Sequence, residues 1–139
     1  MKINDKLAEI LRADGRKLDE NQMIAVNSDL NTVVKAGAGS GKTTVLSYRF
    51  LRLVLEGKAD CDQILTLTFT RKAAAEMNER IYLRLLSAGD EKQLSKFSDA
   101  SISTLDSFFS EVVKADCIRY GIASSFTVAE EDEAAETYG

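Results

Sequence analysis

The 139-residue chain contains no proline and no histidine, and it has only two cysteines. The lack of histidine excludes a His-dependent catalytic triad, a His general base and His-ligated zinc. Cys61 and Cys117 lie far apart and form neither a disulfide framework nor a CxxC pair. No run of about 18 apolar residues exists, so no membrane-spanning helix and no membrane partner are expected. The opening Met1-Lys2-Ile3-Asn4-Asp5 has no apolar stretch of the kind a secretory signal carries. With two unpaired cysteines, this predicts a cytoplasmic location. Without proline, helix limits must be read from caps, glycines and polar clusters.

What is present is the balance of a globular domain with one sizeable core: 45% hydrophobic and 29% charged residues. The net charge of −4 is unevenly placed. Residues 130–136 hold five of the 22 acids and no base, leaving 18 bases against 17 acids elsewhere. Net acidity therefore says little about partners; nucleic-acid binding would rest on a local basic patch.

Ile3, Leu7, Ile10 and Leu11 share a helical face, predicting a first helix near 2–13, broken by Asp14-Gly15-Arg16-Lys17. A second short helix begins at Asp19. Thr32, Val33 and Val34 favour a strand from Asn31 to Lys35. A Gly-rich loop follows, then a helix near 43–56 that is apolar almost all round and is expected to be buried. Gln63 to Phe69 reads as a strand covered on both faces. The next helix spans 71–87, with Ala74, Met77, Ile81 and Leu85 on one side. Residues 88–100 read as polar loop with room for one helical turn, and Ala100 to Ser103 as a short strand. Leu105, Phe108, Phe109, Val112 and Val113 predict a helix near 104–119. Ser125 to Val128 reads as extended, and the acidic stretch after it as the first turn of another helix. The order β, α, β, α, β, α predicts an α/β fold, a parallel sheet flanked by helices with ligands at the carboxyl ends of strands.

Ala36-Gly37-Ala38-Gly39-Ser40-Gly41-Lys42-Thr43 matches the P-loop pattern, except that Ala36 replaces the first glycine. Small residues let backbone N–H groups turn inward onto phosphates, and the helix N-terminus adds positive potential. Lys42 is then placed for the β and γ phosphates, and the Thr43 hydroxyl for Mg²⁺. Upstream, Leu18-Asp19-Glu20-Asn21-Gln22 has two compatible readings. One is a capping box, Asp19 with Gln22; the other is a Gln22 amide that pairs with an adenine edge. In Leu67-Thr68-Phe69-Thr70-Arg71-Lys72-Ala73-Ala74-Ala75-Glu76-Met77, Thr70 reads as an N-cap. Arg71 and Lys72 then fall in the first helical turn, where each exposed cation costs about 0.3–1 kcal/mol. They are either solvated surface bases or groups offered to an anion such as a nucleic-acid backbone. In Ser103-Thr104-Leu105-Asp106-Ser107-Phe108-Phe109, Thr104 or Ser103 caps the helix. The Phe pair is read as core rather than as a base-stacking platform. Cys117 is read as a small buried residue.

These four segments, in this order and spacing, resemble the N-terminal part of UvrD/Rep-type superfamily 1 DNA helicases, a group that includes the motors of the RecB and AddA helicase–nucleases. The resemblance covers about residues 16–130. It implies a partial RecA-like P-loop NTPase domain (domain 1A) over residues 1–139, with ATP and Mg²⁺ as cofactors. It also implies single-stranded DNA and the remaining helicase domains of a parent chain as partners, in DNA repair or recombination. On the matching positions it assigns nucleotide binding to Gln22, Ala36, Gly37, Ala38, Gly39, Ser40, Gly41, Lys42, Thr43 and Thr44. Lys42 is the catalytic lysine and Thr43 the Mg²⁺ ligand. Phe69, Thr70 and Arg71 border the DNA track, and Thr104 contacts DNA backbone.

The sequence departs from the family pattern in three places. Asp106 stands where the family often has His, so that segment serves as a cap or packing corner. Thr44 stands where several relatives carry a basic residue. No acidic pair after an apolar strand matches Walker B, and later motifs with the arginine finger are absent. The chain is therefore expected to be a fragment, inactive alone, with an open sheet edge and uncovered apolar faces. The competing readings are another P-loop NTPase, such as a small kinase or GTPase, and a non-catalytic ATP-binding module. No guanine-reading NKxD-type segment and no Arg-rich lid is present.

Overall fold

The structure, a computed structural model, describes residues 4–37, 39, 41–123 and 125–127. Helix α1 (Asp5–Ala13) starts where the Asn4 side chain accepts from the Lys6 amide, and it buries Leu7, Ile10 and Leu11. Helix α2 (Glu20–Asn27) buries Ala25 and Val26. Helix α3 (Lys42–Leu55) is the central element. It buries Val45, Tyr48, Phe50, Leu51 and Val54, and packs against α1, α2 and helix α4 (Arg71–Ser87). The α4 face is the expected one: Ala74, Met77, Ile81 and Leu85 are buried, and the Thr70 side chain caps the helix by accepting from the Ala73 amide at 3.1 Å.

Among the described residues, two strands form the sheet. Strand β1 (Leu65–Thr68) pairs in parallel with strand β2 (Ser101–Thr104), Leu65 opposite Ser101 and Thr68 opposite Thr104. Parallel strands need a long crossover, supplied here by α4 and helix α5 (Glu91–Phe97). Helix α6 (Leu105–Asp116) leaves β2 directly, and a 3₁₀ turn over Cys117–Tyr120 ends it. Cys117 is buried, as expected.

Four expectations need correction. The predicted strand Asn31–Lys35 is not part of the sheet; among the described residues it has no ladder partner. Val33 is 98% exposed there. Strand propensity cannot by itself supply the neighbouring strand that stabilises an extended segment. The sheet is therefore smaller than predicted, and no strand enters the Gly-rich loop. Residues 88–100 are not loop: within them α5 is capped by the Asp90 side chain and buries Gln93 and Phe97. Helix α3 is not covered all round, because Leu46 is exposed. Finally, Phe109 is exposed and Phe108 only half-buried, so this pair is not core. Uncovered apolar side chains are indeed present, including Leu30, Leu65 and Ile118. The extended reading of Ser125–Val128 lies partly, and the acidic helical turn after it wholly, outside the described residues.

Buried and half-buried ion pairs bind the helices together. Arg52 of α3, 2% exposed, donates to Asp29, to Glu56 and to the Ser28 carbonyl. Arg49 donates to the Ala25 and Leu30 carbonyls at 2.7 and 3.1 Å. Asp14 accepts from Tyr48 Oη and from Arg84 Nε, both at 2.6 Å, while the Arg84 guanidinium lies 4.9 Å from the Tyr48 ring centroid. Burial, followed by the Asp14 hydrogen bond, pushes the Tyr48 phenol up to about 12.

Candidate nucleotide site and neighbouring strand ends

The Gly-rich segment ends in a helix N-terminus, as the sequence predicts. Gly39 and Gly41 have φ of 75° and 77°. This left-handed region suits glycine and strains other residues. Gly41 is the N-cap of α3, and no side chain caps that end. The first amides of α3 are thus left for a ligand, and a helix N-terminus of this kind favours anions. Lys42, the first residue of α3, folds its ammonium back to donate to the Ala36 carbonyl at 3.0 Å. Thr43 and Thr44 are half-buried in the same turn. Ala36 is half-buried and Gly37 exposed, while Ala38 and Ser40 lie outside the described residues.

Gln22 meets this loop from α2. Its side chain and that of Asp19 form a complete capping box: Gln22 N donates to Asp19 Oδ1 at 2.8 Å, and Asp19 N donates to Gln22 Oε1 at 3.0 Å. The amide nitrogen stands at the loop: a Cβ on Gly41 would fall 3.4 Å from Gln22 Nε2. Gln22 therefore has the helix-cap role, and its amide also faces the Gly-rich loop. Between them lies a cleft of about 250 Å³ lined by Asp19, Gln22, Val34, Ala36 and Lys42 among others. Small ligand sites combine such apolar walls with a few convergent polar groups.

The loop glycines, the helix terminus, Lys42 and the Gln22 amide fit a nucleotide with its phosphates at α3 and its base toward α2. Among the described residues, no cluster of three acidic or sulfur ligands could hold a metal ion. A Mg²⁺ here would rest on Thr43 and the phosphate oxygens themselves.

The remaining site residues expected from the sequence lie at the carboxyl ends of β1 and β2, which the parallel register places side by side. Phe69 is 88% exposed at the end of β1, and Thr70 and Arg71 are exposed beside it. Thr104 is different: it is 7% exposed, and its hydroxyl accepts from Ser107 N and donates to Ser107 Oγ. It is the α6 N-cap, with Asp106 in the first turn where an acid complements the dipole. The structure thus brings Phe69, Thr70 and Arg71 together on an open surface. Thr104 is beside them in register but engaged locally. Sequence reading missed the arginines: Arg49 and Arg52 hold the carbonyls at the end of α2, and Arg80 of α4 reaches Thr44 Oγ1 at 3.4 Å. No spacing rule signals such pairs, because their partners are 19 to 36 residues away.

A family model for the UvrD/REP helicase N-terminal domain matches residues 18–138. The chain is 41% identical to the A subunit of an ATP-dependent helicase/nuclease from Syntrophomonas wolfei, over 78% of the chain. It is 36% identical to the protein of that name from Clostridium perfringens and 38% to that from Desulforamulus reducens, over 86% of the chain in each case. It spans about 10% of the length of each of these relatives.

Proposed function

The chain belongs to the UvrD/REP helicase N-terminal domain family, and from that premise we propose that it is the ATP-binding part of a DNA helicase or translocase acting on single-stranded DNA. The observation that carries the reading is the convergence of Lys42, the uncapped α3 N-terminus and the Gln22 amide on one cleft. ATP supplies the phosphoanhydride whose cleavage drives the motor. The chain's own residues do the holding. The α3 amides and Lys42 receive the triphosphate, and Lys42 must leave the Ala36 carbonyl to do so. Thr43 offers its hydroxyl to Mg²⁺, and Gln22 reads the adenine edge with its amide. This arrangement supports the RecA-like reading of the α/β fold.

The DNA track is assigned to the carboxyl ends of β1 and β2. An exposed ring such as Phe69 offers a stacking face, and Arg71 offers charge to a backbone phosphate. The relatives are named as helicase/nucleases, which supports a role in DNA repair or recombination, in the cytoplasm. On this reading the parent's other domains complete the hydrolytic site, and the 139 residues bind without turning over.

The test is titration of a fluorescent ATP analogue with Mg²⁺ into the chain and into Lys42→Ala. The expected result is saturable binding that the variant loses, with competition by ATP and not by GTP. A chain that is folded by circular dichroism and binds no nucleotide refutes the assignment. In the parent protein, ATP hydrolysis is expected to rise with single-stranded DNA.

A further inference from the structure

The sheet has an uncovered edge with no device against pairing. Among the described residues β1 is bonded only to β2, so one row of its backbone N–H and C=O groups is free of ladder bonds. Such an edge is a template for another strand, and proteins guard it with lysine, proline or a bulge. Strand β1 reads Leu-Thr-Leu-Thr and carries neither charge nor proline. A cleft of about 290 Å³ runs between α3 and β1, walled by Leu46, Phe50 and Leu53 on one side and by Leu65, Thr66 and Leu67 on the other. Leu46 and Leu65 are exposed there. Arg49, the charged member of the α3 wall, is engaged by the Ala25 and Leu30 carbonyls.

The charges that flank the strands say what this edge accepts. Strand β1 begins shortly after Asp62 and ends shortly before Arg71 and Lys72, all three exposed. Two copies of β1 paired antiparallel about a two-fold axis set the acidic start of each against the basic end of the other. The free edge of β2 has the opposite character. Asp99 precedes it and Asp106 follows it, both exposed, so self-pairing there brings like charges together. We propose that the chain self-associates as a two-fold dimer through β1. The two sheets join into one of four strands, in the order β2-β1-β1-β2, and the joint covers Leu46 and Leu65 of each copy. Main-chain hydrogen bonds along the added strand supply the affinity. The flanking charges fix its direction.

Sedimentation velocity over a concentration series measures self-association of the wild-type chain, Asp62→Lys, the double variant Asp62→Lys/Arg71→Asp, and Val112→Lys. The last of these charges the exposed apolar side of α6 instead. Lys96 lies 4.0 Å from Asp62, at the limit for an ion pair, so the reversal is expected to leave the thermal midpoint near that of wild type. Wild type is expected to dimerise. Asp62→Lys should weaken the dimer by about tenfold, as two exposed pairs turn from attraction to repulsion. The double variant restores opposite charges across the joint and should regain most of the loss. Val112→Lys should dimerise as wild type does. A wild-type chain still monomeric at roughly 1 mM overturns the proposal. Equal dimerisation of Asp62→Lys and wild type overturns it too, as does a double variant that regains nothing while its thermal midpoint matches that of Asp62→Lys. Loss of the dimer in Val112→Lys places the contact on α6 and also overturns it.

Discussion

Arg52 gives the sharpest test of how the helical layer is held. Its guanidinium donates to Asp29 at 2.8 Å, Glu56 at 3.0 Å and the Ser28 carbonyl at 3.1 Å, and its Nε has no partner among the described residues. Arg52→Met keeps much of the buried stem and removes the charge. The two carboxylates do not lose every cation, because Lys58 lies 2.6 Å from Asp29 and 3.2 Å from Glu56. The group left without a donor is the Ser28 carbonyl, and an unsatisfied buried acceptor costs about 1–3 kcal/mol. That is below the roughly 3–5 kcal/mol for breaking a buried pair outright. Urea unfolding is the assay; with a slope of about 1–3 kcal/mol/M the midpoint should fall by roughly 1 M. The same substitution in a Lys58→Met background should lower the midpoint further, because Glu56, 22% exposed, then has no cation left. An unchanged or raised midpoint in Arg52→Met, or the same shift in both backgrounds, refutes the reasoning.

Leu85 is fully buried on the α4 face, so Leu85→Ala is expected to cost about 2–5 kcal/mol in urea unfolding; a loss within the scatter of surface variants would contradict that packing. Asp60 is held at about 2, against an ordinary 3.8, by its hydrogen bond to Lys96 and then by Gln93. A depressed folded pKa stabilises fully above the ordinary value and is lost as pH falls through the folded one. Thermal midpoints of Asp60→Asn should therefore be lower than wild type at neutral pH and fall less steeply from about pH 4 to pH 2; parallel acid limbs would count against the pair. Cys61 is fully buried, and burial pushes its thiol up to about 11. Its reaction with a disulfide reagent at about pH 8 should be slow in the folded chain and fast in urea; equal rates would show that the site opens freely.

Much of the helical architecture is legible in the residues themselves. Thr70 followed by Ala74, Met77, Ile81 and Leu85 gives the start and the buried face of α4 together, because cap chemistry and a 3.6-residue period are local. Asp19 and Gln22 state their capping box in four letters. The strand predicted over Asn31–Lys35 failed because a strand is completed by a neighbour, and none is present among the described residues. Helix α5 was hidden because its buried side is short and partly polar, Gln93 and Phe97, with Gln93 accepting from the Cys61 amide. Phe109 looked like core because its spacing is amphipathic, yet among the described residues no element covers that side of α6. At the site, the loop and Lys42 announce themselves by motif. The long-range arginine contacts become visible only when α3 is packed against the end of α2 and against α4.

The way α3 is fastened has a mechanical consequence. Its Arg49 and Arg52 grip three carbonyls between Ala25 and Leu30, and its Tyr48 shares Asp14 with Arg84 of α4. Such grips make α1, α2, α3 and α4 a stiff block. The compliant part is the stretch from Asn31 to Lys35, exposed along its length and without ladder bonds. A push delivered to the first turn of α3 would then move the block as one piece, and the strain would be taken up in that stretch rather than between the helices.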